Sequence, residues 1–328
     1  MIVSKTPLRM SYVGGGSDLP AFYRDELGAV LSTSIDKYMY IALNRKFDGR
    51  IRISYSRTEE VDLYSQVEHP LVREALSLTG VQGGVEIASL ADIPSKGSGL
   101  GSSSAYTVGL LNALYAYKNQ FVSKETLARQ ACDIEINRCG EPIGKQDQYA
   151  AAYGGLNLLR FNPDESVSVD PVICNPALLR ILEASTLVFF TGRTRSASAV
   201  LAKQSKDLLR DDRKVLMRRM VQLAFELKSE LESGSLDNFG SILDENWRLK
   251  AQLSVDITDP QIDAWYATGK AHGAKGGKIL GAGNGGFLMF FAPPHQHQAI
   301  MSALSDLEPV KFRFDQNGAQ IVFYQPTE

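Results

Sequence analysis

The segment Pro94-Ser-Lys-Gly97-Ser-Gly99-Leu-Gly101-Ser102-Ser103-Ser104-Ala105 sets three glycines at alternate positions just ahead of three serines. Glycines spaced in this way let a backbone approach an anion with no Cβ in between. The serines run into an expected helix over 103–117, where Val108, Leu111, Leu114 and Tyr115 recur at helical spacing. A helix N-terminus presents unpaired N–H groups and the positive end of its dipole, so the combination suits phosphate. Serine hydroxyls can add hydrogen bonds or a ligand to Mg²⁺. The candidate phosphate contacts are Pro94, Lys96, Gly97, Ser98, Gly99, Leu100, Gly101, Ser102, Ser103 and Ser104. A plain Gly/Ser turn with a serine cap is the competing reading.

Other nucleotide and metal patterns fail on their own terms. No G-x-x-x-x-G-K-[ST] run exists, which excludes a Walker loop. Gly281-Ala-Gly283-Asn284-Gly-Gly286 fits G-x-G-x-x-G, but it precedes an expected strand over 287–291 where a dinucleotide site needs a helix. A Gly-rich turn packed near a ligand is the better account. His295 and His297 form H-x-H with no acidic or thiol residue close by, which reads as a solvated loop.

The elements that must position these residues mix strands with helices. Strands are expected at 38–43, 50–55, 84–88 and 186–190, and helices at 103–117, 124–138, 211–233, 236–253 and 260–272. Residues 160–176 are rich in Pro, Asn, Asp and Ser, lack periodicity, and are expected to hand one half over to the other. The segments 310–314 and 319–324 flank Asp315-Gln-Asn-Gly318, a good hairpin turn. Runs of strands and runs of helices favour α+β over regular βαβ winding. The expected domains are 1–165 and 166–328.

Composition narrows the partners. With 35 Lys+Arg against 37 Asp+Glu the net charge is −2, so no global basic excess attracts nucleic acid. Cys132, Cys139 and Cys174 make no C-x-x-C pair and read as reduced thiols. The N-terminus runs into a strand-like segment without a signal-peptide core, and Phe287–Ala292 is too short an apolar run to span a bilayer. A cytoplasmic protein that avoids membranes is expected.

Three motifs in order over nearly the whole chain resemble the GHMP kinases: Lys5-Thr-Pro7-Leu-Arg9-Met-Ser-Tyr-Val-Gly14-Gly-Gly-Ser-Asp18, the Pro94–Ala105 loop, and Lys278-Ile-Leu-Gly281-Ala-Gly283-Asn-Gly285-Gly286. The resemblance implies a two-domain α+β fold with ATP in the cleft between the domains, its phosphates on the second motif. It implies Mg²⁺ ligands at Ser103 and Glu135, a catalytic aspartate at Asp147 with Arg9 as its neighbour, and sugar contacts at Asp18. Galactokinases place Glu-His where this chain has Gly15-Gly16, which removes two polar sugar contacts. Gly15, Gly16, Ser17 and Asp18, with Gly283 and Asn284, are the expected substrate contacts. The Gly-Gly-Gly-Ser-Asp-Leu-Pro form, with Gly144-Lys-Gln-Asp-Gln and Thr191-Gly-Arg-Thr-Arg-Ser196, resembles the subgroup that makes a heptose 1,7-bisphosphate from heptose 7-phosphate for bacterial surface polysaccharide. Fucokinase-like domains share much of it. Arg138, Lys145, Arg193 and Arg195 lie near these motifs in sequence and suit a sugar phosphate. A homodimer is one assembly open to such a chain. A sensor that has lost catalysis is the alternative from another class, opposed by the retention of Asp147, Arg9, Ser103 and Glu135.

Overall fold

The computed structural model describes residues 1–93, 98–193 and 197–325. Its frame is a pair of long antiparallel strands, β1 (Ile2–Val13) and β2 (Gly28–Arg45), paired from Ile2↔Leu43 to Val13↔Leu31 with register shifts after Pro7 and after Ser11. The far half of β2 pairs with β5 (Val85–Ala91), and β3 (Ile51–Ser54) runs parallel to β5 and carries β4 (Thr58–Val61) at the edge. The near half of β2 pairs with β6 (Leu156–Phe161), which carries β7 (Val167–Pro171). The expected strand at 38–43 is thus one third of an 18-residue one. The Asn, Asp and Ser that suggested a linker at 160–176 form the turn of the β6–β7 pair, where Asn162 N donates to Ser166 O.

The second sheet has the order β11-β8-β10-β9, all antiparallel, built from β8 (Thr186–Phe190), β9 (Gly276–Ile279), β10 (Phe287–Phe291) and β11 (Glu308–Val310). The chain then returns to the first sheet. β12 (Phe314–Asp315) pairs with β2 and β13 (Gln320–Tyr324) pairs with β1. The expected hairpin between 310–314 and 319–324 does not form. Its turn is docked elsewhere: Gly155 N donates to Asp315 O at 3.0 Å, and Lys124 Nζ donates to Asn317 O at 3.2 Å. The backbone of each flanking segment is taken by a longer strand already in place.

Helices α1 (Pro20–Tyr23), α2 (Pro70–Thr79), α3 (Ser102–Tyr117), α4 (Lys124–Cys132) and α5 (Gln146–Tyr153) serve the first half. α3 packs on β1 and β2 and is buried along nearly its whole length, from Ala105 to Leu114. The helix expected over 124–138 is continuous, but Asp133–Arg138 is wound as a π-helix, a widening common at functional sites. The second half carries α6 (Pro176–Ala184), α7 (Ala197–Asp207), α8 (Asp211–Glu232), α9 (Phe239–Leu253) and α10 (Pro260–Ala271). Two polar clamps join the halves. Lys278 Nζ, fully buried on β9, donates to Ser11 O at 2.8 Å and Tyr12 O at 3.2 Å, and Gly14 N donates to Asn246 Oδ1 at 3.1 Å.

Candidate active site

A cleft of about 220 Å³ opens between the halves, lined by the start of α3, the turn after β1, the start of α5, and residues of α7, α9 and the turn before β10. Gly101 is the residue that caps α3. Its φ of +76° is left-handed, a conformation that favours glycine. A Cβ there would come within 3.2 Å of Asp147 Oδ2. Among the described residues no side chain caps the helix, so the serine-cap reading does not describe it. Ser102, Ser103 and Ser104 all line the cleft with the helix N-terminus behind them, the arrangement that binds phosphate.

Asp147 lies in the first turn of α5, after Lys145 at the cap, and is not a capping residue itself. Arg9 reaches it from the middle of β1 as a fork: Nε donates to Oδ1 and NH2 to Oδ2, each at 2.8 Å. Arg9 NH1 donates to Gly99 O at 2.7 Å, and its backbone N donates to Leu100 O at 3.1 Å. The guanidinium therefore ties the carboxylate to the phosphate loop. Its side chain is 4% exposed against 24% for Asp147, so the aspartate is the member open to the cleft. Bidentate geometry fixes the carboxylate plane as well as its charge.

Glu135 is buried on the π-helical segment, and burial is the largest influence pushing its carboxyl up to about 7. Hydrogen bonds oppose that shift: Ser103 Oγ donates at 2.9 Å, Gln148 Nε2 at 2.6 Å, and Ser104 also contributes. The wet-face alternative for Glu135 is excluded by its burial. A buried carboxylate beside a hydroxyl is a hard-oxygen donor set of the kind Mg²⁺ takes. No cluster of three or more His, Cys, Asp or Glu suited to a metal occurs among the described residues, but Mg²⁺ needs only one or two protein oxygens besides phosphates and water. The residues present fit the ion.

Asp18 closes the other wall. It is buried, and its Oδ1 accepts from Gly16 N at 3.0 Å and Gln146 Nε2 at 3.2 Å. Burial first, then the Asp147 charge, raises its pKa. Lys250, from α9, is buried on the same wall with its Nζ donating to Gly281 O at 2.7 Å. Burial pulls its ammonium down to about 8, resisted by the Asp18 and Asp147 charges and reinforced by Arg9.

Family models for the GHMP kinases N terminal domain and the GHMP kinases C terminal match residues 42–155 and 227–308. The chain is 30% identical, over 92% of its length and 93% of the relative's, to the D-glycero-alpha-D-manno-heptose 7-phosphate kinase of Campylobacter jejuni. The chain belongs to the GHMP kinases. It is a phosphotransferase with an alcohol group as acceptor. A crystal structure of a D-glycero-D-manno-heptose 1-phosphate kinase from Bacteroides thetaiotaomicron aligns with this GHMP kinase at TM-score 0.80, 26% identity, covering 99% of this chain and 100% of that one. The bifunctional fucokinase/GDP-fucose pyrophosphorylase of Arabidopsis thaliana is 28% identical over 87% of the chain, which spans 29% of that larger protein.

The kinase cleft does not gather every residue expected there. Arg138 and Lys145 face a separate groove with Tyr23 and Arg129. Arg138 Nε pairs with Asp133 at 2.7 Å, and Lys145 Nζ with Glu165 at 2.5 Å. Both lie close to site residues in sequence, but successive helical positions point about 100° apart. Arg193 is paired with Asp259 at 2.7 Å, outside the cleft. Ser17 Oγ is spent on the backbone of Ala29, donating to its O at 3.1 Å and accepting from its N at 3.0 Å. The third motif reaches the cleft through Gly281 and Ala282, while Gly283 packs against Ile257 and Asn284 N donates to Ile257 O. The Leu100 side chain is fully buried, leaving only its backbone to the loop. Ser98, Gly99 and Gly16 line the cleft, and Gly15 adjoins Lys250. Pro94, Lys96, Gly97 and Arg195 lie outside the described residues.

The sequence reading did not single out Lys250, Gln146 and Gln204, which line the cleft, or Gln148, which donates to Glu135. Gln146 and Gln148 flank Asp147, and their polar character in an otherwise apolar helix was an available signal. Lys250 and Gln204 carry none, since charged and amide residues fill every turn of α7 to α9.

Proposed function

We propose that this GHMP sugar kinase moves the γ-phosphoryl group of ATP to the anomeric C1 hydroxyl of D-glycero-D-manno-heptose 7-phosphate, in the cytoplasm, as a step toward nucleotide-activated heptose. The observation that carries the catalytic part is the Arg9 fork on Asp147, set 3.2 Å from where a Gly101 Cβ would lie. It holds a carboxylate at the edge of an open helix N-terminus, where a phosphate chain would end. The sugar-phosphate part is supported by the Campylobacter heptose 7-phosphate kinase, similar along 92% of this chain.

ATP would lay its phosphates on the first turn of α3. A groove of about 780 Å³ lined by Tyr55, His69 and Tyr106 shares Ser102 and Ser103 with the cleft, and suits the nucleoside. Ser103 and Glu135 would hold Mg²⁺, which when bound neutralises phosphate charge. Asp147 accepts the proton of the acceptor hydroxyl as its oxygen bonds to the γ-phosphorus. The bond from that phosphorus to the bridging oxygen breaks, ADP leaves, and Asp147 returns its proton to solvent. Arg9, forked on both carboxylate oxygens, holds Asp147 oriented for that proton transfer.

A second reading, a kinase for fucose or another neutral hexose, draws on a specific observation. Among the described residues lining the cleft only Arg9 and Lys250 are basic, and Arg9 is engaged by Asp147. An ADP-release assay on free and phosphorylated heptose, fucose and galactose, with the product's phosphate position fixed by ³¹P NMR, tests both. Preference for heptose 7-phosphate with a new anomeric phosphate is expected. Preference for a neutral sugar overturns the first reading.

A further inference from the structure

Gln204 lies on α7 with 0% exposure, yet neither its Oε1 nor its Nε2 has a hydrogen-bond partner among the described residues. A carboxamide can donate twice and accept twice, and buried polar groups left wholly unmatched are rare in native proteins because they are costly. Gln204 also lines the cleft. A Cβ on Gly16, whose φ of +106° is left-handed, would run into Gln204 Nε2. A second buried acceptor there, Gln146 Oε1, is likewise unmatched among the described residues, while the Nε2 of that side chain donates to Asp18. The Lys250 ammonium completes the wall, 3.6 Å from where a Gly15 Cβ would sit.

These groups mix donors and acceptors around one turn. Such a set does not suit a phosphate, which offers acceptors only and would face the Asp18 carboxylate. It suits a polyol, because each hydroxyl both donates and accepts. The bare Gly15-Gly16 backbone leaves the room that side chains from the second half of the chain then enter.

We propose that Gln204 reads the hydroxyl pattern of the acceptor sugar: its carboxamide, Oε1 accepting and Nε2 donating, binds adjacent hydroxyls across the Gly15-Gly16 turn and sets acceptor specificity. The inference rests on the sugar-kinase reading but not on heptose as the sugar. A site built to hydrogen-bond a hydroxyl discriminates strongly against an analogue lacking it, and this supplies the test.

The full-length kinase and its Gln204→Met variant are assayed by ADP release on the wild type's preferred sugar and on each of its monodeoxy derivatives. The variant should raise the acceptor KM about tenfold or more, leave the KM for ATP unmoved, and keep or raise Tm. The wild type should lose about tenfold or more in kcat/KM on one or two deoxy sugars, and Gln204→Met should show no further loss on those same sugars. A merely structural glutamine would not produce that position-specific cancellation. If Gln204→Met does not fold, Gln204→Glu keeps the length and an acceptor, and the same cycle is read on it. Equal deoxy penalties in both enzymes, or an unmoved acceptor KM, overturn the inference. A wild type that prefers fucose to heptose 7-phosphate rejects the proposed substrate, and the cycle is then read on fucose derivatives, so the two failures are distinguishable.

Discussion

Replacing Glu135 with Gln isolates the cost of burying a carboxylate at the expected metal position. Gln keeps the shape, and the Ser103 hydroxyl can turn to donate or accept. With the folded pKa pushed up from 4.5 to about 7, the carboxyl binds its proton more tightly in the fold than in the unfolded chain. The sign follows from linkage. The stabilising preference for the protonated form is complete below pH 4.5 and is lost as pH rises through 7. Relative to the neutral amide, the wild type should be less stable by about 1 kcal/mol at pH 5.5 and about 3 kcal/mol at pH 8.5, from 1.36 kcal/mol per pKa unit. Paired urea denaturation of both proteins at the two pH values, with metal chelated, should show Glu135→Gln the more stable, the gap widening by about 2 kcal/mol. Other titrating groups cancel in the difference. A gap that does not change with pH would refute the argument that desolvation dominates at this site. Mg²⁺ with ATP should then raise the Tm of the wild type more than that of the variant.

Other perturbations probe the rest of the cleft. Asp147→Asn should cut turnover by about 10² or more with ATP affinity nearly intact, since it removes the proposed proton acceptor; near-normal turnover in a folded variant refutes that role. Gly101→Val should abolish ATP binding by calorimetry and depress turnover with the fold largely kept, because a β-branched residue is strained at φ +76° and its Cβ presses on Asp147. Lys250, pulled down to about 8, is an ammonium below that pH and neutral above it, so kcat/KM should fall as pH rises through about 8 if the charge is used. In Lys250→Arg that falling limb should move to higher pH, and an unchanged profile assigns the limb to another group.

Many residues that line the candidate site were legible because they sit in unbroken motifs. Gly99, Gly101 and Ser102–Ser104 are contiguous, and the helix behind them begins at Ser102, where apolar periodicity placed it within one residue. What was hidden depends on how faces meet. Arg138 follows Glu135 by three positions, yet one pairs with Asp133 and the other with Ser103. Gln204 and Lys250 are two of many polar residues on helices whose inward face is chosen only when α7 and α9 pack. The mistaken hairpin shows the same limit. Asp315–Gly318 has turn chemistry, but strand pairing is decided by which edge is free, and β1 offered one.

That edge has a temporal consequence. The register sets Val3 opposite Phe323, so the strand covering one side of β1 emerges from the ribosome long after β1 itself. Until then this edge of β1 carries a row of unmatched amides and carbonyls, a template for another chain. Closing it joins residues near opposite ends of the sequence, Val3 with Phe323, and such non-local contacts are slow to form. Translation that stops short of β13 would therefore leave a nascent protein whose motifs are complete but whose first sheet stays open to self-association, a hazard that chaperones must contain.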